Sequence, residues 1–168
     1  FIKGCPIVEF IGKCRKISDL CGEKLHEAHV VAVLNEAFSI LDRQPEFAML
    51  APDGDNGVDH YTLFLAGQRP LSVEKMEGIR LRCEAGLNRN VHYAYCRKLE
   101  QLSTLCICWL NDAPEVVMER YHTRCLERGQ RAGDIKPVAL DGETGWRQTL
   151  CGTKEQEGNM KKGTGLTL

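Results

Sequence analysis

The residues best equipped for chemistry lie in one stretch near the start, Phe10-Ile11-Gly12-Lys13-Cys14-Arg15-Lys16-Ile17-Ser18-Asp19-Leu20-Cys21-Gly22-Glu23-Lys24-Leu25-His26-Glu27. The pattern reads as an apolar strand, a basic glycine turn, a second short strand and a Gly22-Glu23-Lys24 loop that opens a helix. A helix N-terminus carries unpaired amides and the positive end of the helix dipole, so a lysine beside it suits an anionic group. The ordinary alternative for a basic turn and a Glu-Lys pair is a solvated surface. Net charge does not tip the choice, because 22 Lys and Arg oppose 23 Asp and Glu for a balance of −1. Such a balance gives no broad field towards nucleic acid or anionic lipid.

Nine cysteines would suggest a disulfide framework in a short secreted chain. Here the count is odd, and Phe1-Ile2-Lys3-Gly4-Cys5-Pro6 lacks the long apolar core of a secretory signal. Cys83, Cys96 and Cys125 fall in helical patterns, and Cys106 and Cys108 on one face of a strand, where they are expected to pack as small hydrophobes. No Cys-x-x-Cys pair occurs, so zinc is set aside and no metal site is assigned. A reduced, cytoplasmic protein is expected. His60 reads as a packed strand residue, and His26, His29, His92 and His122 as helix residues without chemistry. The acids between Asp53 and Asp59 lack the later glutamate of a calcium loop and read as a turn.

These residues need a scaffold, and 168 residues suit one domain while being few for a complete nucleotide-using enzyme. A start at Phe1 rather than methionine suggests a piece of something longer. No apolar run approaches the roughly 20 residues that span a bilayer. Ile7–Ile11 reads as a strand paired with Ile17–Leu20, and Leu25–Leu41 as a helix with Val30, Val33, Leu34, Ala37 and Leu41 on one face. Phe47–Leu50 and Val58–Ala66 form an antiparallel hairpin across a turn-rich loop. Ser72 caps a helix over Val73–Leu87, Asn88-Arg89-Asn90 interrupts it, and a second helix runs over Val91–Leu102. Thr104–Leu110 is apolar on both faces, which predicts a strand in the middle of a sheet. Asp112-Ala113-Pro114-Glu115 has capping-box spacing for a helix that ends at Arg128-Gly129, and Pro137–Leu140 is a last strand. The order predicts an α+β domain with a mostly antiparallel sheet of about four to five strands and helices packed on it.

Several blocks, in order, resemble the C-terminal domain of the acyl-acid amido synthetases, the auxin-responsive Gretchen Hagen family of adenylate-forming enzymes. The first is Phe10-Ile11-Gly12-Lys13, then Gly22-Glu23-Lys24-Leu25-His26-Glu27-Ala28-His29-Val30. His60-Tyr61-Thr62-Leu63-Phe64, Leu87-Asn88 and Tyr93-Ala94-Tyr95-Cys96-Arg97 follow. Arg128-Gly129 and Asp134-Ile135-Lys136-Pro137 close the series. Two positions depart from the family pattern: Lys13 replaces an arginine, and Lys136 sits in Asp-Ile-Lys-Pro-Val rather than Gln-Tyr-Lys-x-Pro-Arg.

The resemblance implies a division into residues 1–21, the end of a preceding domain with the hinge and first strands, residues 22–147, a lid domain, and residues 148–168, a polar glycine-rich tail. It implies a ligase chemistry in which a carboxylic acid attacks the α-phosphate of ATP with Mg2+, and an amino acid or amine then displaces AMP. The ATP phosphate loop and acyl pocket would belong to an N-terminal adenylation domain in cis. Lys136 is the implied catalytic cation, Gly22, Glu23 and Lys24 the implied nucleotide contacts, and Gly12, Lys13 and Arg15 the implied hinge. Nucleic acid and membrane are not implied partners. The competing expectation is a stand-alone α+β ligand-binding or regulatory module without catalysis.

Overall fold

The computed structural model describes residues 17–55 and 58–152. The strand expected over Ile7–Ile11, the Gly12-Lys13 turn, Arg15 and the tail beyond Gly152 lie outside the described residues. The elements run β1 Ile17–Ser18, β2 Leu25–His26, α1 Glu27–Phe38, β3 Phe47–Asp55, β4 Val58–Ala66, α2 Val73–Leu87, α3 Val91–Lys98, β5 Cys106–Trp109, α4 Pro114–Glu127 and α5 Trp146–Cys151. A 3-10 turn over Ala132–Asp134 lies between α4 and α5.

The fold is α+β, with one two-stranded sheet and one three-stranded sheet among the described residues. Alternation along β3 and β4 sends side chains to both faces, and both faces are covered. Leu50, Tyr61, Leu63 and Leu65 join Val30, Val33, Ile79, Cys83 and Tyr93 in one buried cluster under α1, α2 and α3. Phe47, Met49, Phe64 and Ala66 join Val117, Tyr121, Trp146 and Leu150 in a second, under α4 and α5. Helices therefore sandwich the sheet. Gly86 lets α2 approach α1 closely, since a Cβ there would stand 2.8 Å from a methyl of Val33.

Five sequence expectations need correction. The chain after Lys24 forms β2, antiparallel to β1, before α1 begins at Glu27. The segment read as a turn after Leu50 continues β3 to Asp55, pairing Asp53 with His60 and Asp55 with Val58. β5 lies at an edge, in the order β3-β4-β5, and pairs parallel to β4, while the long β3-β4 pairing and the β1-β2 pairing keep the sheets mostly antiparallel. Its two apolar faces reflect helices above and below, not a strand on each side. The last expected strand shrinks to a single parallel bridge, Leu50 to Leu140. Finally, Ala113 rather than Asp112 caps α4, because the Asp112 carboxylate is 2.5 Å from Arg120 in an ion pair. Ser72 does cap α2, accepting from the Lys75 amide, and α3 stops at Lys98.

Candidate functional site

The turn from β1 to β2 holds the first set of predicted residues. Gly22 has φ +104 and Lys24 φ +44, two left-handed residues flanking Glu23. That geometry turns Glu23 inward, where it is fully buried, and leaves Lys24 exposed. Glu23 accepts from the Leu20 amide at 2.8 Å, the Cys21 amide at 2.9 Å and the Tyr61 hydroxyl. The Tyr61 oxygen is also 2.7 Å from the Ser18 hydroxyl. Burial alone would raise the Glu23 pKa, but the Tyr61 hydroxyl and the backbone amides outweigh it and hold the carboxyl below its ordinary value. Tyr61 responds in the opposite sense, pushed far up by burial and by the carboxylate it faces.

This wiring changes what the loop offers an anion. The Leu20 and Cys21 amides are spent on Glu23, and the Gly22 amide donates to Asp19 at 2.8 Å. At α1, the first-turn carboxylate of Glu27 accepts from the Ala139 amide at 3.2 Å. The amides of the β1–β2 turn are thus taken by the chain's own carboxylates, while no side chain caps the start of α1. What the loop presents outward is the ammonium of Lys24, whose side chain makes no ion pair or hydrogen bond with a described residue.

Lys136 is likewise exposed, on the segment between the 3-10 turn and the Leu140 bridge, with no side-chain ion pair to a described residue. Its backbone is anchored: the Tyr121 hydroxyl donates to the Lys136 carbonyl at 3.0 Å. Tyr121 in turn stacks on Trp146 of α5, with ring centroids 5.3 Å apart and planes 16° apart. Beyond Lys136, Ala139 accepts from the Leu50 amide at 2.9 Å, and Gly142 passes so close to β1 that a Cβ would stand 2.8 Å from the Ile17 carbonyl. The bond from Ala139 to Glu27 connects the two lysine-bearing segments directly, since Glu27 lies three residues after Lys24 and Ala139 three after Lys136. That bond ties the segment after Lys136 to the start of α1, just past the turn that holds Lys24.

Sequence reasoning missed the residues that hold this arrangement. Glu84 accepts from Arg97 at 2.8 Å, from the Tyr93 hydroxyl at 3.2 Å and from the Leu105 amide at 3.0 Å, tying α2 and α3 to the entry of β5. Glu84 thereby joins Tyr93 and Arg97, four residues apart on α3, into one seam. Asp53, expected in a turn, pairs with Arg147 at 2.7 Å and accepts from Thr62 at 3.0 Å. Cys21, Glu23 and Cys96 also bring three ligand-type atoms within 4.8 Å of one another. The Cys21 thiol donates to Glu23 at 3.4 Å, and burial, first, pushes its pKa well above the ordinary thiol value. The carboxylate is thereby satisfied by protons.

Among solved structures, the backbone is similar to that of a GH3.15 acyl acid amido synthetase, with a TM-score of 0.62 and 16% identity. The match covers 78% of this chain and 24% of that one. The fold is shared. At this identity the likeness speaks for fold alone, and this chain spans about a quarter of the length of the structure it matches. No protein-family model and no curated protein matches the sequence. Within the shared fold, the exposed Lys24 and Lys136 sit on connecting segments while Glu23, Tyr61 and Trp146 lie in the interior.

Proposed function

We propose that this chain is the C-terminal lid domain of an ATP-dependent acyl-acid amido synthetase, acting with an N-terminal adenylation domain in the same polypeptide. The observation that carries the reading is the backbone likeness to an acyl acid amido synthetase over 78% of the chain. It agrees with the ordered sequence motifs. In this reading the phosphate loop and acyl pocket belong to the other domain, which holds ATP, Mg2+ and the carboxylic acid, and the amine is an amino acid or similar nucleophile. The location is cytoplasmic. Among the described residues no helix is long and apolar enough to cross a membrane.

This chain contributes a movable cation. Negative charge gathers on phosphate as the carboxylate attacks, and a fixed ammonium beside it lowers that barrier. Lys136 fits because its side chain is unengaged while its backbone is held by Tyr121. Lys24, in the β1–β2 turn, is the second contact, and Gly22 and Glu23 shape that turn. Gly12, Lys13 and Arg15, within residues 1–21, form the hinge that brings the lid in and takes it away between the two half-reactions.

In the intact parent enzyme Lys136→Ala should cut adenylation by about 10²–10³ while leaving ATP and acid binding nearly unchanged. Amide formation from a supplied acyl adenylate should change little. Lys24→Ala should slow both half-reactions together, because its turn adjoins the hinge. Pyrophosphate exchange reads the first step, and exchange at the wild-type rate in Lys136→Ala would remove the lysine from the mechanism.

A further inference from the structure

The sulfurs of Cys108, in β5, and Cys151, the last residue of α5, lie 3.4 Å apart. They join elements 43 positions apart in sequence, and neither is in a disulfide. Cys108 is buried, at 9% exposure, whereas Cys151 is half-buried. Arg147 stands one helical turn before Cys151, and although paired with Asp53 at 2.7 Å its guanidinium attracts the charged form of either thiol. A cation beside a half-accessible thiol favours the thiolate, the nucleophilic form, and a second thiol within reach resolves the product. Cys106 on the same strand is exposed, and Cys83 and Cys125 are buried in the helical layers.

We infer that Cys108 and Cys151 form an oxidisable dithiol that hydroperoxides convert to an intramolecular disulfide, stapling α5 to β5. The Cys151 thiolate attacks the peroxide oxygen, forming an S–O bond as the O–O bond breaks, and the alkoxide or hydroxide leaves and takes up the proton released by Cys151. The Cys108 thiolate then attacks the sulfenic sulfur, forming the S–S bond as the S–O bond breaks, and hydroxide leaves as water with the proton from Cys108. Two thiols lose two electrons, and one hydroperoxide becomes an alcohol (or water) plus water. A dithiol reductant reverses the step by exchange. The staple matters to the rest of the domain because α5 carries Trp146, which supports Tyr121 and through it the Lys136 carbonyl.

The test treats the reduced full chain with hydrogen peroxide, alkylates remaining thiols, digests it and sequences the peptides by mass spectrometry. The expected product is a cross-link between the peptides of Cys108 and Cys151 that dithiothreitol abolishes, with Tm raised by roughly 5–10 °C before reduction. Cys108→Ser should accumulate a dimedone-reactive sulfenic acid at Cys151. Arg147→Met should slow cross-linking about tenfold without changing which cysteines join, and near-ultraviolet circular dichroism checks that each variant is folded. Oxidation that joins Cys21 to Cys96 instead, that only makes dimers through Cys106, or that leaves Cys108 and Cys151 alkylatable would overturn the inference.

Discussion

Glu23 shows how one buried carboxylate organises a functional turn. Four groups donate to it, the Leu20 amide, the Cys21 amide, the Cys21 thiol and the Tyr61 hydroxyl, and the hydroxyl and amides make its charged form preferred in the folded chain despite burial. A carboxyl held below its unfolded pKa adds stability that is complete above the unfolded value, near about 4.3, and is lost as pH falls through the lower folded value. Glu23→Gln should cost about 2–3 kcal/mol near neutral pH, because an amide NH2 cannot accept from the donors it faces. Urea unfolding followed down to about pH 3 should show the wild-type advantage shrinking as Glu23 takes up its proton. A difference that stays constant with pH would mean that Glu23 does not titrate in this way. The Gly-Glu-Lys sequence was legible as a special turn, but not the inward aim of Glu23. That aim depends on the left-handed backbone at Gly22 and Lys24, and lysine has no propensity that announces a positive φ.

At the scale of elements, the helices with strong caps and long periodic faces were readable. α2 matched its expected span because Ser72 caps it and Ile79, Cys83 and Leu87 repeat at helical spacing. α5 was not readable, since six residues opening on Gly145 at φ +84 give too little periodicity to register. β3 was cut short because Pro52-Asp53-Gly54 looks like a turn, whereas Asp53 is held in the strand by Arg147 and Thr62, a distant pairing that local sequence cannot report. The unseen helix is nonetheless structural. Trp146 is fully buried, stacked on Tyr121, with the Arg124 guanidinium 4.4 Å from its ring centre. Trp146→Ala should cost about 3–5 kcal/mol, the range for emptying a large aromatic site. Chemical unfolding measures this directly. A cost under about 1 kcal/mol would show that α5 is a loose appendage rather than the support for Tyr121.

For the whole molecule, the α+β class and the hairpin were legible from element order, while the sandwich of helices on both sheet faces was not. Apolar residues on both faces of a strand fit either a central strand or a covered edge, and only the packing of α1–α3 against α4 and α5 decides between them. The same packing bears on whether the domain binds nucleotide by itself. The amides of the β1–β2 turn are engaged, and Lys24 and Lys136 face solvent. Two exposed ammonium groups meeting a phosphate chain in water contribute on the order of 1 kcal/mol each, less with salt. Millimolar affinity needs about 4 kcal/mol, so the two contacts fall short of it. Calorimetry of the 168-residue chain with ATP and Mg2+ should therefore find no binding tighter than millimolar, and no pyrophosphate exchange. Micromolar affinity would reveal a nucleotide site complete within this domain, and the stand-alone binding module would then displace the lid as the better account of the fold.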